Sequence, residues 1–391
     1  MNFEILSILA FFGILATLVI IDRKNIEFGI ILMRRTKKGE KGIKEFAKKH
    51  KKFFNTFANV GLVIAILLSI FGFFYLFKGT GVKLILPKVF PGEASESVQK
   101  FVFFMPLWYW VIGLFIILVP HELSHGFLFA LEKIKIKSVG LFLFLIFPGG
   151  FVEPDEKQFQ KSSPKKRMRI ASVGSITNVC VFILLIILSV SMTNLFYEEN
   201  GVYVFQINNT YYPAKQVNLT GIITEIDGNR IRNIQDFEII LNQTNPGDNI
   251  QIKTYEKVYN ITLIEHPDIP GKGFIGVSIA SPNFLTRITE INPNIFYEVK
   301  SVYSNSQKSI IIWFKGLIDW VSLISIGVAV ANLLPFLPFD GGIMWQAIFE
   351  KTTKKKKFSR RMIKVLSIIT YGLLILNLIG FGSILEILGL L

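Results

Sequence analysis

FIILVPHELSHGFLFALEK, residues 115–133, combines two kinds of sequence. Nearly all of it is apolar, with the continuity of a segment that crosses a bilayer, yet His121, Glu122 and His125 interrupt it. Ionisable side chains within a membrane span are costly and mark functional positions. On a helix, His121 and His125 are i and i+4 and share a face. Two neutral imidazoles so spaced can fill two corners of a tetrahedral Zn²⁺ site. Glu122, beside the first, can reach a water at the metal rather than the metal itself. A catalytic zinc lowers the pKa of such a water toward ~7. Glu122 is then placed to take its proton and pass one to a leaving amine.

The flanking sequence supports a membrane setting. The chain of 391 residues is 51% hydrophobic with a mean hydropathy of +0.48, more apolar than a soluble domain of this size. Six runs approach or exceed the ~20 residues that cross a bilayer: about 3–22, 54–77, 101–131, 169–195, 311–336 and 363–390. Glu4, not a basic cluster, stands at the start of the first run, and no small-residue cleavage site follows it. It reads as an anchor rather than a cleavable signal.

The net charge of +15 has a topological reading. Residues 22–53 hold 12 Lys/Arg, 155–169 hold 6 and 351–364 hold 8, together 26 of the 43 in the chain. These stretches are the connections after the first, third and fifth runs. The positive-inside rule places all three in the cytosol and the N-terminus outside. The long connection 196–310, with 9 Lys/Arg against 12 Asp/Glu, is then extracytosolic. All four Asn-X-Thr sequons, at Asn208, Asn218, Asn242 and Asn260, fall in it. The basic clusters suit contact with anionic headgroups. No nucleic-acid recognition module accompanies them, and a nucleic-acid partner is not expected. Cys180 is the sole cysteine, so neither an intramolecular disulfide nor a cysteine metal site is available.

Residues 197–285 differ in character. Short β-rich runs (GVYVFQI, TGIITEI, NIQIKTY, YNITLIE, GFIGVSI) are separated by turn signals such as DGN at 227–229 and NPGD at 245–248. IRNIQDFEIILNQT has an apolar face at helical spacing. A compact, mostly-β domain is expected here.

A catalytic zinc needs a third protein ligand. His50 and His266, the other two histidines, lie on opposite sides of the membrane in this topology, away from His121. A carboxylate from another span is wanted. VANLLPFLPFDGG, residues 330–342, supplies one. Pro335 and Pro338 break a helix there, and broken backbone at membrane depth is tolerated only where it is buried or lines a cavity. Asp340 follows directly. Asp319, earlier in the same run, reads as a span-edge or partner-paired residue rather than a ligand.

HELSH at 121–125 together with NLLPFLPFDGG at 332–342 resembles the site-2 protease family of intramembrane zinc metalloproteases. The resemblance implies His121, His125 and Asp340 as zinc ligands, Glu122 as the catalytic base and Asn332 near the substrate. LIFPGGFVEPDE, 145–156, is similar to the family's membrane-embedded hairpin loop. It implies an edge strand of Gly149, Gly150, Phe151 and Val152 that pairs with an unwound substrate. GSITN, 174–178, is similar to a G-P-x-x-N motif, with Ser175 in place of proline. There Asn178 is expected to hold substrate or the developing oxyanion. GIITEIDGNRIRNIQDFEIILNQTNPGDNIQIKTY resembles the second half of a bacterial-type PDZ domain. Such domains bind peptides by strand addition, and a simple spacer is the alternative.

The expected architecture is an α-helical polytopic membrane protein of about six transmembrane helices with an inserted small, mostly-β PDZ-like domain. Its parts are a two-span region (1–100), the HExxH core (101–195), the extracytosolic PDZ-like domain (196–286), a linker and motif span (287–350), and a basic loop with a last span (351–391). The expected function is hydrolysis of peptide bonds within or near transmembrane segments of membrane-tethered proteins already shortened by another protease. Two alternatives stand beside it. A non-catalytic zinc-containing binding protein would have no use for Glu122. An integral zinc protease acting on soluble or lipidated peptides would lack the PxxPxDG arrangement.

Overall fold

The computed structural model describes residues 3–27, 31–37, 39–79, 82–90, 95–99, 101–144, 147–206, 211–255, 257–280 and 297–379. The sequon at Asn208, the first two residues of the hairpin loop (145 and 146), the 286/287 boundary and the last run beyond residue 379 lie outside them.

In hydrocarbon every backbone N–H and C=O must be bonded internally, so the apolar runs fold as helices. Among the described residues, the helices of eight residues or more are, in chain order, α1 (Phe3–Ile21), α2 (Glu40–Lys49), α3 (Lys51–Tyr75), α4 (Leu107–Leu131), α5 (Pro164–Phe196), α6 (Ile234–Leu241), α7 (Asn305–Leu333), α8 (Asp340–Thr353) and α9 (Lys356–Ile379). Among the described residues five segments are long and apolar enough to cross a membrane: Lys51–Lys78, Leu107–Leu131, Pro164–Phe196, Asn305–Leu333 and Lys356–Leu378. The first apolar run adds a shorter apolar helix, Ile5–Ile21. The chain is a helical polytopic membrane protein with separate β regions. The third run, expected from 101, divides differently. Its start is a strand, Val102–Pro106, paired in parallel with Leu84–Lys88, and the helix begins only at Leu107. Hydropathy cannot separate an apolar strand from an apolar helix turn.

Two compact units account for the chain: Met1–Leu184 with Trp320–Leu391, and Leu185–Asp319. The first contains an antiparallel sheet in the order β1 (Ile26–Glu27), β2 (Ile31–Thr36), β3 (Ile136–Phe144) and β4 (Phe147–Pro154). β3 and β4 pair antiparallel, and among the described residues β4 is one edge of the sheet. β2 runs beside β3 from Ile31↔Phe144 to Thr36↔Val139, so a piece of the first basic connection backs the hairpin.

The break between α7 and α8 is held on several sides. A proline at 335 has no N–H for the helical ladder, and α7 stops at Leu333. The Leu333 carbonyl accepts from Ser69 Oγ on α3 at 2.5 Å, and Ser69 Oγ accepts from Trp345 Nε1 on α8 at 2.8 Å. In α9, Ser367 Oγ accepts from the Leu337 N–H at 3.0 Å and the Tyr371 hydroxyl donates to the Leu337 carbonyl at 2.8 Å. Thus the irregular backbone finds partners within the protein, as a lipid setting requires. Gly341 and Gly342 are needed for closeness: a Cβ on Gly342 would lie 2.5 Å from the Phe336 carbonyl carbon, and one on Gly341 nearer still to Leu333. At the base of the bundle, buried Arg167 on α5 pairs with Glu350 on α8 at 2.8 Å. Arg169 reaches both Glu132, just past α4, and Asn55 on α3.

The second unit is built on an antiparallel sheet in the order β8 (Val258–Thr262), β7 (Asn249–Thr254), β6 (Ile222–Ile226), β5 (Val202–Gln206) and β9 (Ser278–Ala280), with Asn229–Arg230 folding back on β6. β7 alternates exposed and buried side chains, as a strand with one wet face must. Ile223, Ile226, Phe237, Ile252 and Ile261 meet in its core. Asp227 and Gly228 both have positive φ, which makes the hairpin turn expected at DGN. α6 is capped by Asn233, whose side chain accepts from Asp236 N at 2.9 Å. In the same unit, buried Lys315 on α7 pairs with Asp319 at 2.5 Å, and Ser189 Oγ on α5 donates to Asp319 at 2.6 Å.

Candidate active site

His121 and His125 both lie buried on the inner face of α4. Pro120 precedes them within the helix and frees the carbonyl one turn back. Asp340, at the first position of α8, comes to the same point because the proline-broken segment returns the chain to α4. His121 Nε2 and His125 Nε2 are 3.2 Å apart, and Asp340 Oδ2 is 3.3 Å from each. Among the described residues these are the one group of three with ligand atoms close enough to hold a metal ion.

Three observations test whether a metal fits. A tetrahedron with ligand bonds of roughly 2.0–2.1 Å has edges of roughly 3.3–3.4 Å, and the three distances here, 3.2, 3.3 and 3.3 Å, are close to it. Asp340 Oδ2 is buried without a hydrogen-bond donor of good geometry, as a ligand atom would be. The third observation is a missing methyl. Gly174 on α5 faces the two imidazoles, and a Cβ there would sit 2.6 Å from His121 Nε2 and closer to His125 Nε2. Glycine leaves open the space between the ligand atoms.

The far ring nitrogens are also held. His125 Nδ1 lies 2.8 Å from the Ile170 carbonyl. A carbonyl only accepts, so Nδ1 carries the proton and Nε2 presents its lone pair to the centre. His121 Nδ1 lies 3.0 Å from the Asn178 amide. Asn178 is fully buried, its carbonyl accepts from Ser325 Oγ at 2.8 Å, and its Oδ1 has no partner. A half-turn of that amide brings Oδ1 onto His121 Nδ1–H, and the two orientations have nearly the same shape. The Asn178 side chain, expected to hold substrate or the developing oxyanion, lies against the His121 ring. Gly174 and Asn178 are i and i+4, so one face of α5 supplies both the gap and the ring support. That relation was legible in GSITN, but not what the face would meet.

Glu122 stands beside the cluster and accepts a hydrogen bond from the Val152 N–H of β4 at 3.3 Å. His121, Glu122, His125, Asp340, Asn332 and Val152 all line one cavity of about 350 Å³. Phe129, Phe159 and Pro338 complete its apolar walls. Gly150 and Phe151 lie further along β4, and Gly149 lines a separate apolar cavity with Leu15 and Leu18 of α1. His50 and His266 contribute nothing to the site, in line with the carboxylate expected as third ligand.

Residues 109–377 match the family model for peptidase family M50. The chain belongs to peptidase family M50. An uncharacterized protein of Methanocaldococcus jannaschii is similar to it, 28% identical over 336 residues that cover 84% of this chain and 80% of the relative. M50 peptidases are zinc metalloproteases, and the apolar helices make this member an integral membrane protein. The matched region contains HELSH, GSITN and NLLPFLPFDGG together.

Proposed function

We propose that this protein is an intramembrane zinc metalloprotease that cuts membrane-tethered proteins within or near a transmembrane segment. One observation carries the reading: two histidines on a helix long and apolar enough to span a bilayer, and an aspartate from another segment, have tetrahedral spacing and share a cavity with Glu122, which is no member of the triad. His121, His125 and Asp340 would hold the metal through Nε2, Nε2 and Oδ2. When bound there, zinc supplies a Lewis acid for the scissile carbonyl and lowers the pKa of the attacking water.

The protein's own groups do the rest. Glu122 accepts the proton of the water and returns one to the leaving amine. Asn178 and the Ile170 carbonyl keep both imidazoles in the tautomer that leaves Nε2 free. Asn332, on the cavity wall, orients the substrate backbone. A transmembrane helix hides its carbonyls in internal hydrogen bonds, so a substrate must be unwound to be cut. β4 is a sheet edge that ends at the cavity through Val152, and Gly149 to Val152 would pair with the unwound stretch. With the basic connections in the cytosol, the N-terminus and the β-rich unit lie outside. That unit, read as PDZ-like, would screen the outer stub of a substrate shortened by another protease. Its DG turn, capped α6 and following strand support the reading.

The test compares wild type with Glu122→Gln in liposomes, recording bound zinc and cleavage of a single-span substrate. About one zinc in both, with cleavage in wild type alone, supports the proposal. A wild type without metal, or a Glu122→Gln protein that still cuts, overturns it.

A further inference from the structure

A second cavity, of about 570 Å³, opens where α2, the start of α3 and the turn after α4 converge. Five lysines line it: Lys44, Lys48, Lys51, Lys133 and Lys135. Lys44 and Lys48 are i and i+4 and share a face of α2; Lys133 and Lys135 flank Ile134 in the turn after α4. The acidic groups of the neighbouring elements are already engaged. Glu40 binds Lys44 at 2.5 Å, Glu45 faces Lys41 at 3.9 Å, Glu132 is held by Arg169 and Lys166, and Asp155 caps the short helix after β4. Among the described residues, Lys48, Lys51 and Lys133 form no ion pair with an acid, and Lys135 interacts only with Glu40, which Lys44 already binds. Five ammonium groups around one concavity, with Glu40 the one acid among the described residues that pairs with any of them, repel each other and raise a positive local potential.

The backbone beneath them is itself unusual. Lys133 has φ +62°, at the left-handed position that ends α4, where the Ile134 N–H bonds the Phe129 carbonyl at 2.8 Å. Glycine is the ordinary occupant of that position, and a side chain there is strained. The chain keeps a lysine in it. Ala47, Leu131 and buried Ile134 form an apolar floor. Leu131 is the last residue of a helix long and apolar enough to cross a membrane, and the end of such a helix is the level at which lipid phosphates are expected.

We infer that this lysine-lined cavity is a binding site for the phosphate of an anionic phospholipid headgroup. Lys48, Lys51, Lys133 and Lys135 would bind the phosphate oxygens, and the apolar floor would receive the first part of the lipid backbone. The site is separate from the catalytic cavity but shares its foundation. Ile134 packs in the same buried cluster as Phe129 and Val152, both of which line that cavity. A bound headgroup would brace the HELSH helix at its end.

The full-length protein, purified in neutral detergent, would be titrated with phosphatidylglycerol, with phosphatidylcholine and with inorganic phosphate. The readouts are thermal unfolding and lipid phosphorus bound per protein. Phosphatidylglycerol is expected to bind and raise the unfolding temperature, while the other two do neither. Lys133→Gln with Lys135→Gln should weaken binding about thirtyfold, roughly fivefold per lysine at an anionic surface. Lys133→Gly removes one ammonium while relieving the left-handed strain, so it folds at least as well and should still bind about fivefold more weakly. Lys355→Gln with Lys357→Gln, an exposed basic pair elsewhere, should bind as wild type does. The inference is overturned if Lys133→Gly binds phosphatidylglycerol like wild type, if the Lys355/Lys357 pair matters equally, or if inorganic phosphate alone reproduces the shift.

Discussion

Gly174→Ala is the sharpest probe of the metal reading, because it alters no proposed ligand. The added Cβ would lie 2.6 Å from His121 Nε2, whereas real Cβ contacts essentially never fall below 3.0 Å. The His121 ring must therefore retreat by at least 0.4 Å (3.0 less 2.6), and His125 by more. Metal sites tolerate displacements of about 0.2 Å from ideal ligand distances. The retreat is twice that or greater, and the methyl also enters the space between the ligand atoms. Even loss of a group that only orients a ligand costs roughly 10- to 100-fold in metal affinity, so this change should cost at least 100-fold. The fold should survive, since alanine is favoured over glycine by about 1 kcal/mol within a helix. The assay is zinc competition against a chelator in detergent, with cleavage and thermal unfolding followed in parallel. Gly113→Ala is the matched control: its Cβ would crowd Val321 Cγ2 at 2.9 Å, with similar packing stress and no histidine involved. Loss of zinc in Gly174→Ala but not Gly113→Ala is expected. Wild-type zinc affinity in Gly174→Ala would refute the assignment of that gap as the metal's place.

The other predictions follow from single contacts. Asn178→Ala should weaken zinc binding 10- to 100-fold with little change in substrate KM, whereas Asn178→Asp, which keeps an acceptor for His121 Nδ1–H, should retain most of the affinity; chelator competition and a KM-against-kcat comparison check both. Asp340→Ala should abolish stoichiometric zinc, measured by metal analysis of purified protein, and with it cleavage. Lys315→Met alone should lower the unfolding temperature sharply, because removing one partner of a buried pair costs about 3–5 kcal/mol. Lys315→Met combined with Asp319→Leu should recover most of that loss.

Some of this was readable along the chain because it is local. HELSH declares two imidazoles on one helical face whatever surrounds them, since a period of 3.6 places i and i+4 together. Prolines at 335 and 338 declare a broken span before Asp340, since each lacks the N–H that a helix needs. The turn at Asp227 and Gly228 and the helix capped by Asn233 were likewise visible in their own residues. The third run misled because its first residues are apolar enough for helix or strand, and pairing with Leu84–Lys88 decided for strand.

What the sequence alone determined about this protein is therefore the set of short-range facts: an apolar helical chain, a histidine pair on one face, a proline break with an acid after it, and the sign and place of its charges. Tertiary structure decided which of those meet. Asp340 lies 3.3 Å from two histidines more than two hundred residues earlier, Gly174 opens between the same rings, and the Asn178 amide lies against His121. β2 joins the hairpin, and lysines from three segments gather around one hollow. The reason is physical. Periodicity and backbone chemistry act over a few residues and can be read in order, whereas the meeting of distant side chains depends on how helices pack, which no single stretch encodes.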